Sequence, residues 1–288
     1  MAGKYNICLD IGGTKVLGCI FDEKGEIVHR IKKKTKAGGD SSQNVEEVII
    51  SVVDELMKGF GITKKEVNAI AAGAPGVIDS DSGIVLFSPN LPWKNYDIVT
   101  PISKKFGVPF YIGNDVNVGV LGEYKYGAAK GFSNVVGLFV GTGMGGGLIL
   151  DGKLYTGYGF KGAEYGHMVL NEEGPRCNCG QRGCLEAFSS KQGMSDYIRQ
   201  QVSRGRESMM AEGVTNGVFK SKLLKNSLDR PAHTDSCAFF LLPINSSIFS
   251  EHFSEFSSHL YQHIIFIEIL DILWLCKSII ESKLFICK

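Results

Sequence analysis

The sequence predicts an α/β protein of two lobes. A strand–glycine turn–strand unit occurs twice, once around Gly12-Gly13 and again at Gly141–Gly147, about 130 residues apart. Between the two copies, strand patterns alternate with helical ones, the order expected of mixed sheets covered by helices. At 288 residues the chain can bury two separate cores.

The elements follow in order. "YNICLDI" and "KVLGCIF" flank the first glycine turn, and "DEKG" closes a second hairpin before "EIVHRI". Val45, Val48, Ile49, Val52, Val53, Leu56 and Phe60 recur at helical spacing behind a serine cap, so 42–60 is a helix. "VNAIAAGAPG" is a buried strand entering a Gly/Pro loop. "VPFYIGNDVN" is another, turning at Gly113 into a helix over 115–127. "NVVGLFVG", the turn "TGMGGG" and "LILDGKLY" repeat the opening pattern. Residues 229–288 contain no glycine, in a chain that has 36. Their run "HIIFIEILDILWLCKSII" reads as a buried or self-associating helix, or as sequence not selected to fold with the rest, and Glu268 and Asp271 interrupt it too often for a membrane span. The expected domains are therefore 1–115, 116–228 and an atypical apolar tail at 229–288.

Lys+Arg 31 against Asp+Glu 30 leaves a net charge of +1, which argues against nucleic acid as a partner. The opening residues lack the charged and apolar regions of a secretory signal, so a cytoplasmic location is expected. Thiols stay reduced there, which disfavours a disulfide within "CNCGQRGCLE".

Four constellations carry chemistry. Asp10-Ile11-Gly12-Gly13-Thr14-Lys15 ends a strand in glycines that let backbone N–H groups approach a phosphate, with Asp10 placed to hold hydrated Mg²⁺. A tight hairpin with a solvated aspartate would leave the same letters. Gly141, Gly143 and Gly146 formally satisfy the dinucleotide fingerprint, but a strand follows instead of the required helix. A phosphate-binding turn fits that context better. Asn114-Asp115 lies where a strand meets a helix: Asp115 could take a proton from an attacking alcohol, or simply cap the helix. His167, Cys177, Cys179 and Cys184 make a His/Cys₃ set at the spacing His-x9-Cys-x-Cys-x4-Cys. Such a set closes a tetrahedral zinc site with no open position, hence a structural one. A redox pair more often reads C-x-x-C. Cys8 and Cys19 read as small core residues.

DIGGTK, GAPG, SPNLPW, GNDVN, GTGMGGG, GAEYGH and CNCGQRGCLE, taken together, resemble the ROK family of sugar kinases and repressors, over roughly residues 5–225. Within it the chain is most similar to bacterial glucokinases. The resemblance implies an actin-like ATPase (ribonuclease H-like) fold of two lobes, the second incomplete, and phosphorylation of glucose by ATP with Mg²⁺ and structural Zn²⁺. It implies phosphate contacts from Asp10, Gly12, Gly13, Thr14 and Lys15, and from Gly141, Thr142, Gly143 and Gly145. Asp115 is the implied base; Asn90, Asn114, Asp115, Glu164, His167 and Glu186 are the implied sugar contacts. His167 could serve metal and sugar through its two nitrogens. Family repressors carry an N-terminal helix-turn-helix, for which a phosphate strand starting near residue 5 leaves no room, so the kinase branch is expected. Another hexose, such as fructose or N-acetylmannosamine, stays open as substrate. So do a homodimer and an inactive zinc-stabilised sugar-binding protein. The tail departs from the family, where a glycine-rich stretch after a long helix lines the adenosine pocket.

Overall fold

The structure is a computed structural model that describes residues 4–35, 41–207, 211, 214 and 264–267. The described residues fall into two compact units. The first comprises residues up to Val136 together with Gly147–Ala163; the second comprises Gly137–Gly146 and the residues from Glu164 onward.

Unit one is built on a five-stranded sheet. β1 (Tyr5–Ile11), β2 (Lys15–Phe21) and β3 (Ile27–Lys34) form an antiparallel meander. β4 (Val67–Ala74) and β8 (Phe110–Asn114) then add parallel to β1, giving the order β3-β2-β1-β4-β8. This is the ribonuclease H-like arrangement of the actin-like ATPase fold. β3 runs three residues beyond the expected "EIVHRI", through Lys32–Lys34. Lysines suit it because β3 is an edge strand, where charge also blocks pairing with another chain.

Helix α1 (Ser42–Phe60) covers one face. Ser41 caps it by accepting from Asn44 N–H, and Gly61 ends it in the left-handed region. Val45, Val48, Ile49, Val52, Val53 and Leu56 are buried as the spacing predicts, and Met57 joins them. Phe60 lies at the rim, edge-on to Tyr5 with ring centres 5.4 Å apart. The main core joins these residues to Ile7, Leu9, Ile11, Ile70 and Ile112. Cys8 and Cys19 face each other across β1 and β2 in a second, smaller cluster, both buried and free of disulfides.

A small antiparallel sheet follows β4: β5 (Val77–Asp79), β6 (Ile84–Phe87) and β7 (Lys94–Asp97). Helix α2 (Val99–Phe106) leads from it into β8, and α3 (Asp115–Tyr126) starts where β8 ends. The hairpin of β9 (Val135–Val140) and β10 (Met144–Leu150) encloses the second glycine turn, and in unit one β10 pairs with β11 (Lys153–Leu154).

In unit two, single turns at Tyr165–His167 precede a short helix, α4 (Leu185–Ser189), and a longer one, α5 (Lys191–Ser203). Ile264–Ile267 is a strand, β12, next to β9, where the sequence suggested helix; the short β-branched run suits a sheet edge. The remainder of the 229–288 tail lies outside the described residues. Among the described residues no helix is long and apolar enough to cross a membrane.

Candidate functional site

In unit one the loops at the carboxyl ends of β1, β4 and β8 converge. Asp10 is the penultimate residue of β1, and Asp115 is the first of α3. Burial and the nearby charge of Asp115 push Asp10 up to about 6, while Lys15 pulls the other way. The two carboxylates feel each other's charge in a partly desolvated corner, which a bound cation would relieve.

The first glycine turn is shaped from outside itself. Gly12 N–H donates to Lys15 O at 2.8 Å, closing the hairpin. Thr35, fully buried just beyond β3, donates through its hydroxyl to Gly12 O at 2.5 Å and through its N–H to Thr14 O at 3.1 Å. Sequence reasoning missed this clamp, since a lone threonine after a lysine run carries no signal. Thr14 and Lys15 are exposed. Gly13 lies against Asn90: a Cβ there would sit 2.9 Å from Asn90 O. The first glycine turn and the expected sugar residue Asn90 are thus in direct contact.

Asn114, not Asp115, is the cap of α3. Its Oδ1 accepts from Asn117 N–H at 3.0 Å, and its Nδ2 donates to Gly76 O at 3.0 Å. One side chain therefore starts the helix and holds the Gly/Pro loop, which Ser88 also fixes by donating to Pro75 O at 2.7 Å. Asp115 Oδ1 accepts from Val116 N–H at 2.9 Å.

In unit two the second turn is shorter than "TGMGGG" suggests. Gly141 N–H donates to Gly143 O at 2.9 Å, and β10 already begins at Met144. Gly145 is therefore a strand residue, and the turn consists of Gly141, Thr142 and Gly143. A strand, and not a helix, follows, as the context required.

His167, Cys177, Cys179 and Cys184 come together, with one ligand atom from each lying within 4.8 Å of the others. Cys177 Sγ is 3.8 Å from His167 Nδ1, and Cys179 Sγ is 3.7 Å from Cys184 Sγ. Ligands of a tetrahedral zinc ion at 2.0–2.3 Å stand about 3.5–3.8 Å from one another. The donor set fits such an ion. Burial pushes the Cys177 thiol up to about 12 and raises Cys184, whereas the Gln181 N–H lowers Cys179. Two of the three sulfurs thus become good thiolates only beside a cation.

The loop is tight by construction. Cys177 N–H donates to Gln181 O, and Leu170 N–H to Gly183 O, both at 2.8 Å. Gly183 has φ +71°, and a Cβ there would fall 1.5 Å from Asn171 O, so no other residue fits. Cys184 immediately precedes α4, whose second residue is Glu186. Glu186 Oε2 accepts from Met144 N–H at 2.8 Å. Glu164 is exposed at the start of the turn that carries His167, and its carbonyl accepts from His167 N–H at 3.0 Å.

Comparison with known proteins agrees with this layout. The profile of the ROK family matches residues 6–234. A glucokinase from Thermotoga maritima is 36% identical over 208 residues, covering 71% of this chain and 63% of that protein. A xylose repressor from Caldicellulosiruptor bescii is 33% identical over 201 residues, covering 70% of this chain and 50% of the repressor. The chain thus spans less than two thirds of either relative. Among solved structures, a ROK family glucokinase from Streptomyces griseus in complex with glucose and AMPPNP superimposes with a TM-score of 0.71 at 25% identity, over 97% of this chain and 88% of that one.

Proposed function

The chain belongs to the ROK family, and from that premise we propose that it transfers the terminal phosphoryl group of ATP to the 6-hydroxyl of glucose. The observation that carries this reading is the Asp10–Asp115 pair at the converging loop ends of unit one. Asp115 accepts the hydroxyl proton as the sugar oxygen attacks the terminal phosphorus and ADP departs. Its Oδ1 is steadied by Val116 N–H, which fixes the direction in which the carboxylate faces. Mg²⁺, held by Asp10, would neutralise charge on the phosphate oxygens. Within unit one, Asn90 and Asn114 are the proposed sugar contacts; Glu164, His167 and Glu186 keep the sugar roles that the family resemblance implies for them. With Nδ1 of His167 turned to the thiols, Nε2 is the nitrogen left for a hydroxyl. The turns at Gly12–Lys15 and Gly141–Gly145 receive the phosphates through backbone N–H groups other than those of Gly12, Gly141 and Met144, which donate within the fold, and zinc in the His/Cys₃ set is structural.

The resemblance to a xylose repressor favours a second reading, a sugar-binding protein without turnover. ADP release measured with glucose, fructose, N-acetylmannosamine and xylose, beside calorimetric titration of the same sugars, separates the two. Turnover highest with glucose is expected. Sugar binding with no ADP release would select the second reading, and faster turnover of another hexose would move the substrate.

A further inference from the structure

The peptide of Met144, where the second glycine turn becomes β10, is gripped on both sides by the metal loop. On one side its N–H donates to Glu186 Oε2 at 2.8 Å, while the other oxygen of that carboxylate lies 3.4 Å from Cys177 Sγ. On the other side the turn bearing His167 lies flat against it: a Cβ on Gly166 would fall 2.1 Å from Met144 O. Gly143 leaves room for the same carboxylate, since a Cβ there would stand 2.6 Å from Glu186 Oε2.

The grip continues into the helices that follow the last cysteine. Lys191 N–H donates to Gly141 O at 3.0 Å, and Gln192 N–H to Thr142 O at 3.3 Å. Ser189 Oγ lies 3.0 Å from Met144 Sδ. Every backbone carbonyl from Gly141 to Met144 is thereby bonded within the turn or packed against the segment 166–192.

We infer that the metal loop is the anchor of the second glycine turn, and that Glu186 is the positioning residue joining them. A metal held by His167, Cys177, Cys179 and Cys184 fixes the two arms that hold Met144, and so fixes the shape of the turn. Glu186 then acts on nucleotide affinity, beyond the sugar contact implied for it. Only this last consequence rests on the kinase reading; the anchoring does not.

Amide hydrogen exchange over residues 141–147, calorimetric titration of Mg-ATP and of glucose, and elemental analysis test the inference. They are applied to the full chain, to the chain stripped by chelator, and to Glu186→Ala and Glu186→Gln. Stripping and Glu186→Ala should each speed exchange at 141–147 about tenfold, the scale of a lost hydrogen bond to a charged acceptor. Glu186→Ala should retain its metal and bind Mg-ATP about tenfold more weakly. Glu186→Gln keeps an acceptor for Met144 N–H and should restore most of both. Exchange in β1 serves as the control for global unfolding. Should Glu186→Ala not fold, the stripped chain and Glu186→Gln decide the matter. Exchange at 141–147 within twofold of wild type in the stripped and Glu186→Ala proteins would overturn the inference. So would a Glu186→Ala defect confined to glucose. Wild type that binds neither ATP nor glucose would sink the kinase reading, while the exchange data would still decide the anchor.

Discussion

Asp10 and Asp115 show how neighbouring carboxylates can cost stability. Asp10 titrates near pH 6 in the folded protein and at 3.8 in its ordinary state, so folding binds a proton across that interval. Stability therefore falls as pH rises from about 3.8 to about 6, and the loss persists above it. Asp10→Asn should stabilise the metal-free protein at pH 7.5 by on the order of 1–3 kcal/mol and have little effect at pH 4. Urea unfolding at both values checks this; equal gains would assign the effect to packing instead. For Asp115→Asn, we expect phosphoryl transfer to drop about 10²–10⁴-fold, because the amide keeps the shape and loses the basicity. Glucose affinity should stay within several-fold. A variant retaining a tenth of wild-type turnover would reduce Asp115 to a residue of the helix start. The placement of both aspartates was legible because Asp10 nears the end of β1 beside a glycine motif and Asp115 opens α3 beside an amide. Thr35 and Met144 were not, because what they do depends on partners 23 and 42 residues away.

Elements with a long period or a distinctive cap were legible: α1 from its spacing and serine, and α3 from the strand–Asn–Asp junction. The small sheet of β5, β6 and β7 was not, since strands of three or four residues are too short to show alternation. The glycine start of β10 was read as turn because Gly145–Gly147 has no side chains to reveal a pleat. Asn114 joins two elements, and Asn114→Ala should both uncap α3 and release the Gly76 loop. We expect a loss of about 1–2 kcal/mol in urea unfolding, with weakened glucose binding. A stability loss without any change in sugar affinity would separate the cap from the loop. The metal loop was the most legible element, because four ligands of fixed chemistry leave little choice. Elemental analysis should find about one zinc per chain in the wild type and none in Cys179→Ser. Protein purified without chelator and yet free of zinc would refute the site.

For the whole molecule, a two-lobed α/β fold could be anticipated from the glycine hairpin that occurs twice in the sequence, and its ribonuclease H-like form from the family resemblance, whereas the tail could not be placed by any local pattern. The family match ends at residue 234, close to where glycine disappears from the sequence. Backbone that approaches a nucleotide closely needs residues without Cβ, and 229–288 offers none. Mg-ATP should therefore bind this chain far more weakly than a chimera carrying a glucokinase relative's C-terminal part. Equal affinities by calorimetry would show that the tail leaves the nucleotide side intact. The Thr35 clamp also predicts which changes of length this fold can survive as it diverges. Between β2 and β3, the "DEKG" turn can gain or lose residues at little expense, because nothing downstream reads its length. From Ile27 to Thr35 every residue counts, since deleting one would swing Thr35 to the opposite face of the strand, away from Gly12 O. Insertions should thus accumulate at the tip of this hairpin and be purged from its arm.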